Sequence, residues 1–192
     1  MSLFREHSIG GLVAYASFFA VSLGATLIGN IALQMPIDWN PTLPLDPWRI
    51  GACFVIAVLF GLWPDVDIKS KSQQIFYRIF LIANVVLIYR GLYIESAFFG
   101  LFAMLPLIGK HRGWTHSKIT MLALPALFLI IPLYLKRDAL DTANLLAPQN
   151  LQRIRMGLPF YVASLVGYAT HLYLDGILLP FRKARKRRDV SH

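Results

Sequence analysis

The sequence is dominated by long apolar runs that shorter polar stretches separate. A helix needs roughly 20 apolar residues to cross a bilayer core of about 30 Å, so each run of this kind predicts a transmembrane helix. The run at residues 75–108 is too long for one crossing and carries Arg90 and Glu95 near its middle, so we divide it into two helices. The predicted helices lie at residues 10–33, 49–63, 75–108 as a pair, 117–135 and 158–179.

Prolines and polar residues mark the connections between the apolar runs. The four prolines between residues 35 and 48 prevent a continuous helix there. The polar stretches at 65–74 and 136–156 are assigned to connections as well. The sequence contains no internal repeat and no long linker. We therefore expect an all-α integral membrane bundle of about six transmembrane helices, with a single domain over residues 1–181 and a basic tail over 182–192.

The composition agrees with a membrane protein and excludes several other classes. Hydrophobic residues make up 56% of the chain, charged residues 15%, and the mean hydropathy is +0.55, which is too apolar for an ordinary soluble domain. The first apolar run exceeds a signal-peptide core and lacks a clear cleavage motif, so we expect it to be retained. With Cys53 as the single cysteine, neither an intramolecular disulfide nor a cysteine-based zinc site is possible.

The positive charge is distributed according to membrane topology. The formal net charge is +9, but the basic residues cluster at the ends of apolar runs instead of alternating with aromatics, so we expect membrane lipids and no nucleic acid as partners. Six crossings place both termini on one side, and thirteen of the 19 Lys and Arg residues fall there. The positive-inside rule then predicts a multi-pass protein of the cell inner membrane with both termini cytoplasmic.

This topology brings four groups of histidine and aspartate residues to the cytoplasmic face. Only His192, in the tail, is a histidine outside this set. The predicted metal-site residues are His7, Asp65, Asp67, His111, His116, His171 and Asp175.

Two of these groups have spacings that suit the binding of one ion. His171 and Asp175 are four residues apart, so on a helix they lie on the same face. Asp65 and Asp67 follow Pro64, and an extended segment there would present both carboxylates to one side. Ionisable pairs inside apolar segments, such as His171 and Asp175, are costly and tend to be functional.

The motif HRGWTHS at residues 111–117 supplies the other pair of histidines. His111 and His116 are five residues apart, about 140° around a helix, so they converge only if the chain turns near Gly113. We therefore predict a loop followed by a helix N-terminus, with Thr115 or Ser117 as the cap.

The donor types narrow the choice of metal and suggest an anion beside it. Imidazole and carboxylate ligands without cysteine suit zinc first, with manganese or iron as alternatives and magnesium less favoured. Seven candidate ligands exceed the needs of one tetrahedral ion, so one or two ions are expected. Arg112 stands between the histidines of the motif and suits a bidentate grip on a phosphate or carboxylate.

Four sequence features together resemble the YdjM-like membrane-bound metal-dependent hydrolases, some of which are under LexA control. They are the early His7, the PDVD run at 64–67, HRGWTHS, and GYATHLYLD at 167–175, and HRGWTHS is the specific part. The resemblance spans His7 to Phe181 and implies that the seven residues form a metal site, with Arg112 and Ser117 nearby.

Two positions depart from the pattern of that family. Ile68 stands where family members often have a histidine. Only residues 176–179 separate Asp175 from Pro180, where family members often have a longer stretch that contains Thr and Gly. The first departure bears on metal affinity and the second on the substrate.

The leading hypothesis is a metal-dependent hydrolase whose ion activates a water for attack on an ester or phosphoester, which a lipid could supply. The predicted catalytic residues are Asp67 and Asp175, either of which would serve as general base if it is not a ligand, and Arg112 on the phosphate.

Two alternatives stay open. A metal or proton transporter would need polar residues through the depth of the bundle, where Asn30 and Asn84 are the main candidates. The second alternative is a structural or sensory protein in which the metal only holds the helix ends together. It would need a coordination sphere filled by protein ligands, with no open position for water. The oligomeric state is not readable from the sequence.

Overall fold

The structure is a computed structural model that describes residues 2–67, 70–108, 113–135 and 147–178, although the side chains of residues 2, 3, 67, 107 and 108 are not described. Within these ranges the chain is helical and contains no strand, which confirms the predicted all-α class. The helices are α1 (Ser2–Leu33), α2 (Pro47–Leu62), α3 (Lys71–Tyr89), α4 (Tyr93–Ile108), α5 (Lys118–Ala123), α6 (Leu127–Leu135) and α7 (Pro148–Leu174). Two short 3₁₀ helices lie at Trp63–Asp67 and Trp114–His116.

Local capping explains where several helices begin and end. The Asp46 side chain accepts a hydrogen bond from the backbone N–H of Trp48 at the start of α2, where Pro47 occupies the first position. The division of the long run at 75–108 is confirmed at Gly91, whose φ of 74° lies in the left-handed region. The backbone therefore reverses between α3 and α4 close to the predicted point.

The ends of the first and last helices differ from the prediction. α1 begins at Ser2, so His7 lies within this helix and does not precede it. α7 begins at Pro148, ten residues before the predicted start, because its polar first turns are stabilised by tertiary packing in which Asn150 is fully buried. It ends at Leu174, before Gly176, which has a φ of 72°.

Two further local predictions were wrong. The Asp65 and Asp67 segment is a 3₁₀ helix, not an extended strand-like stretch, because it continues the helical path of α2 through Pro64. The predicted fifth helix is divided into α5 and α6 around Pro125, which lacks the N–H that a continuous helix requires.

Four helical stretches of the described chain are long and apolar enough to cross a membrane. They lie at Phe4–Leu33, Pro47–Val66, Lys71–Tyr89 and Lys118–Leu135, and α4 is a shorter apolar helix. Their outward side chains are strongly apolar: Val21, Ile28 and Ile31 of α1 are 73%, 66% and 80% exposed. Such a surface suits contact with lipid acyl chains.

The centre of the bundle is the pair α2 and α7, which α1 and α6 flank. The two central helices approach closely because small residues face each other. A Cβ atom placed on Gly167 of α7 would lie 2.0 Å from the carbonyl oxygen of Ala57 in α2. A Cβ atom placed on Gly157 of α7 would likewise lie 2.0 Å from the carbonyl oxygen of Phe128 in α6. Close backbone approach through small residues is the usual way in which helices associate in membranes.

Candidate metal centre

The C-terminal ends of α2 and α7 converge with the first turns of α1 and the 3₁₀ helix before α5. Two groups of metal-capable donors result, in each of which the ligand atoms lie within 4.8 Å of one another. One group is His7, His171 and Asp175, and the other is Asp65, His116 and His171.

His171 is held in an orientation suited to metal binding. Its side chain is fully buried in the last turn of α7, and its Nδ1 lies 2.7 Å from the carbonyl oxygen of Gly61 at the end of α2. A carbonyl can only accept, so Nδ1 carries the proton and Nε2 presents a lone pair. This buried Nε2 has no hydrogen-bond partner, which is the arrangement of a metal-ligating imidazole with a backbone carbonyl behind it.

His116 is positioned by the turn that carries it. Its Nδ1 lies 3.2 Å from Oγ1 of Thr115, and both side chains are buried. The hydroxyl of Tyr168 in α7 donates to the carbonyl oxygen of Thr115, which joins this turn to the central helix. Ser117 caps α5 by accepting from the N–H of Thr120 at 3.0 Å, as predicted for one of the two cap candidates.

Four donor atoms form a compact set of two nitrogens and two oxygens. Nε2 of His116 lies 3.9 Å from Asp65 Oδ1 and 3.5 Å from Asp175 Oδ2. Nε2 of His171 lies 3.7 Å and 3.6 Å from the same two oxygens. Bonds of about 2.0–2.1 Å would place tetrahedral zinc ligands about 3.3–3.4 Å apart. The four nitrogen–oxygen distances therefore lie within a few tenths of an ångström of the spacing between ligands of one ion.

His7 provides a fifth donor beside this set. Its ring stacks on that of His171 with centroids 3.9 Å apart, and its Nε2 lies 3.4 Å from Asp175 Oδ1. The side chain is only 2% exposed, and its Nδ1 has no hydrogen-bond partner. Asp175 thus faces three imidazoles, with one oxygen toward His7 and the other toward His116 and His171.

Charge and burial differ between the imidazoles and the carboxylates. Asp175 lies just beyond the end of α7, and the polar contacts of its carboxylate with the imidazoles of His116, then of His171 and His7, hold its pKa below the ordinary value against the opposing effect of burial. The carboxylate is therefore ionised, which is the form that binds a metal cation. The side chains of Asp65 and Asp175 are 17% and 12% exposed, against 0–3% for the imidazoles. The carboxylates thus line the accessible side of the cluster.

The structure brings together five of the seven predicted metal-site residues. The side chain of Asp67 is not described, although its backbone ends the 3₁₀ helix after α2. His111 and Arg112 lie outside the described residues. The ligand role of His111 and the catalytic roles of Asp67 and Arg112 therefore stay predictions.

Two positioning groups were not predicted from the sequence. The carbonyl of Gly61 orients His171. Every residue has a backbone carbonyl, so the sequence does not indicate which one makes this contact. Tyr168 could have been found, because it precedes His171 by three residues and shares its helix face. Its contact with the HRGWTHS turn depends on tertiary packing.

Comparison with known proteins identifies the family. The model of the YdjM inner membrane protein family matches residues 21–180, a range that contains four of the five clustered residues and excludes His7. Neither the curated proteins nor the solved structures give a match. Since the family match covers well over half of the chain and confirms the resemblance carried by the motifs, this chain belongs to the YdjM inner membrane protein family.

Proposed function

We propose that the chain is a multi-pass inner-membrane hydrolase that binds a divalent metal ion at its cytoplasmic face and cleaves an ester or phosphoester. The observation that carries this proposal is the convergence of His116, His171, Asp65 and Asp175, with an unpartnered buried Nε2 on His171. Zinc suits these four donors, and manganese or iron are the alternatives. A second ion would use His7 and the other oxygen of Asp175.

A bound ion would supply Lewis acidity and lower the pKa of a water at the site. The protein's own residues then orient the reactants and accept the proton. Oδ1 of Asp175 and Nε2 of His7, 3.4 Å apart, form a pair that can share a proton taken from the attacking water. The buried imidazole rings exclude solvent from one side, so the substrate approaches past Asp65 and Asp175.

The location of the site supports a substrate that reaches it from the membrane surface. The cluster lies at the helix ends, where lipid headgroups contact a bundle of this kind. A phosphoester of a lipid is the substrate class that we propose. Arg112, next to His111 in the motif, would bind its phosphate.

Transport is less well supported because the described interior beyond the site is largely apolar. A buried cluster lies there, made of Tyr15, Cys53, Ala57 and Ala163. The nearby hydroxyl of Ser164 donates to backbone carbonyls of its own helix, those of Phe160 and Tyr161. An ion that crossed this region would lose its hydration and find few ligands in exchange.

The proposal is tested by hydrolysis assays on the full chain purified in detergent and loaded with zinc or manganese. The probes are p-nitrophenyl acetate, p-nitrophenyl phosphate, bis(p-nitrophenyl) phosphate and phospholipid in mixed micelles. We expect metal-dependent turnover of at least one phosphoester and a loss of at least about 100-fold in Asp175→Asn. Asp46→Asn is the matched control, because asparagine caps a helix as well as aspartate does and Asp46 lies at the other end of α2.

Equal turnover in Asp175→Asn and wild type would contradict the assigned site. A metal-loaded wild type that hydrolyses none of the probes would contradict the proposed activity. Metal flux in proteoliposomes without hydrolysis would favour the transporter instead.

A further inference from the structure

A cavity lies at the end of the bundle opposite the metal centre. It opens between α2, α6 and α7 and has a volume of about 730 Å³. This size is within the roughly 300–1,000 Å³ typical of ligand sites. None of the residues of the metal centre lines it.

The cavity has a polar end and an apolar end. Arg49 lies in the first turn of α2 and Arg153 in the second turn of α7, so both guanidinium groups belong to the outer end of the cavity. The inner walls come from Phe128 and Ile131 of α6 and from Phe160, two turns further along α7. This arrangement matches a ligand with an anionic head and an apolar tail.

Within the described ranges, neither of the two arginines has a carboxylate as counter-ion. No carboxylate of the described chain forms a salt bridge with either guanidinium. Arg153 is half-buried and donates to the amide oxygen of Asn150, at 3.3 Å. The adjacent Arg155 differs, because it donates to the backbone carbonyls of Asp38 and Trp39 at 3.4 and 3.5 Å. A half-buried cation above an apolar cavity is stabilised by an anion.

The depth of the cavity corresponds to the opposite leaflet. Arg153 and His171 are 18 residues apart on α7, which is about 27 Å along the helix axis. The hydrocarbon core of a bilayer is about 30 Å thick. With the metal centre at one membrane face, the arginines therefore lie at headgroup level on the other, and the apolar walls extend into the acyl-chain region.

We propose that this cavity binds an anionic phospholipid. Arg49 and Arg153 hold the phosphate, since guanidinium groups bind phosphate oxygens in a bidentate manner. An acyl chain lies against Phe128, Ile131 and Phe160. The site is separate from the metal centre and does not depend on the proposed hydrolase activity.

The alternative occupant is the segment 136–146, which joins α6 to α7 and lies outside the described residues. It contains Asp138 and Asp141, whose carboxylates are also complementary to arginine. The test must therefore distinguish a lipid phosphate from a carboxylate of the chain.

Native mass spectrometry of the full chain in a neutral detergent measures the bound lipid directly. The probes are phosphatidylglycerol and phosphatidylcholine with identical acyl chains, and inorganic phosphate alone. We expect one phosphatidylglycerol per chain in preference to phosphatidylcholine, and about a tenfold or greater loss in the double variant Arg49→Gln/Arg153→Gln. Arg155→Gln is the matched control and retains the lipid. Ile131→Trp, which fills the apolar end without touching the arginines, also lowers retention.

Three results would overturn the proposal. The first is equal retention of the two lipids, or of phosphatidylglycerol by wild type and the double variant at equal helix content. The second is displacement of the lipid by inorganic phosphate at a comparable concentration, which would indicate a site for free phosphate. The third is a wild type that binds no lipid while Asp138→Asn/Asp141→Asn does, which would identify the connecting segment as the occupant.

Discussion

The two ends of the α2–α7 pair use the same helices for different chemistry. At the end near Gly61 and His171, buried imidazoles face two carboxylates across 3.5–3.9 Å. At the other end, Arg49 and Arg153 border an apolar cavity of about 730 Å³. One end has its opposite charges assembled within the chain, whereas the other has cations without a counter-ion in the described chain.

The difference shows that the contacts that hold the helices together and the side chains that form the sites occupy separate parts of this bundle. Between the two ends, Gly167 packs directly on the backbone of Ala57, and this contact fixes the distance between the helices without any polar side chain. Each end can then carry its own side chains on a common rigid support. Variants at the middle should therefore affect both ends, and variants at one end should affect only that end.

The largest effect is expected from Gly167→Val. The added Cβ would lie 2.0 Å from the carbonyl oxygen of Ala57, so the central helices must separate, at a cost of about 1–3 kcal/mol or more. We expect a lower unfolding temperature in detergent together with loss of both metal and lipid. Gly51→Ala in α2 is the control, because its Cβ meets no atom within 4 Å. A Gly167→Val protein that unfolds at the wild-type temperature would disprove the role assigned to this contact.

A smaller effect, confined to one end, is expected from His171→Ala compared with His7→Ala. His171 faces both carboxylates, so its removal should weaken zinc binding by about 100-fold or more, while lipid retention stays unchanged. His7 faces only one oxygen of Asp175, so its removal should change zinc affinity by less than about tenfold. Competition with a chromogenic chelator measures both affinities. Equal losses in the two variants would show that His7 belongs to the main ligand set.

Tyr168→Phe should produce a moderate change at the same end. The lost hydroxyl no longer holds the carbonyl of Thr115, so the turn that carries His116 becomes less well positioned. Residues that orient a ligand typically contribute 10–100-fold to metal affinity, and we expect about tenfold. Tyr89→Phe serves as the control, because Tyr89 is 88% exposed. Unchanged zinc affinity in Tyr168→Phe would contradict this positioning role.

Ser117→Ala is expected to have the smallest effect. It removes the side chain that caps α5, which costs about 1 kcal/mol of stability. Ser8→Ala, which removes an exposed hydroxyl bonded within its own helix, should change stability by less than about 0.5 kcal/mol. Thermal unfolding of both variants in the same detergent makes the comparison, and equal midpoints would contradict the capping role.

The apolar runs predicted the fold well because membrane helices are specified by their own composition. The turn at Gly91 was located from polar residues inside one long run. The start of α7 was missed because Asn150 and its neighbours look like a loop in sequence, and only tertiary packing buries them. A helix of this kind depends on its contacts more than on its pattern.

The candidate site was predictable in its residue types and only partly in its geometry. Topology alone placed His7, Asp65, His116, His171 and Asp175 at one face. The sequence did not show that Asp65 belongs to a 3₁₀ helix or that the carbonyl of Gly61 selects the tautomer of His171. The cavity at the other end is defined by α6 and α7 together with α2, which is distant from them in sequence, so no local pattern indicates it.

The central claim is that the clustered histidines and aspartates bind a metal ion. Elemental analysis of the detergent-purified full chain, beside His116→Ala and Asp175→Ala, tests it most directly. We predict close to stoichiometric zinc, manganese or iron in the wild type and loss of that metal in both variants, with helix content unchanged. A wild type that holds no metal even after reconstitution, or variants that keep the wild-type content, would contradict the account.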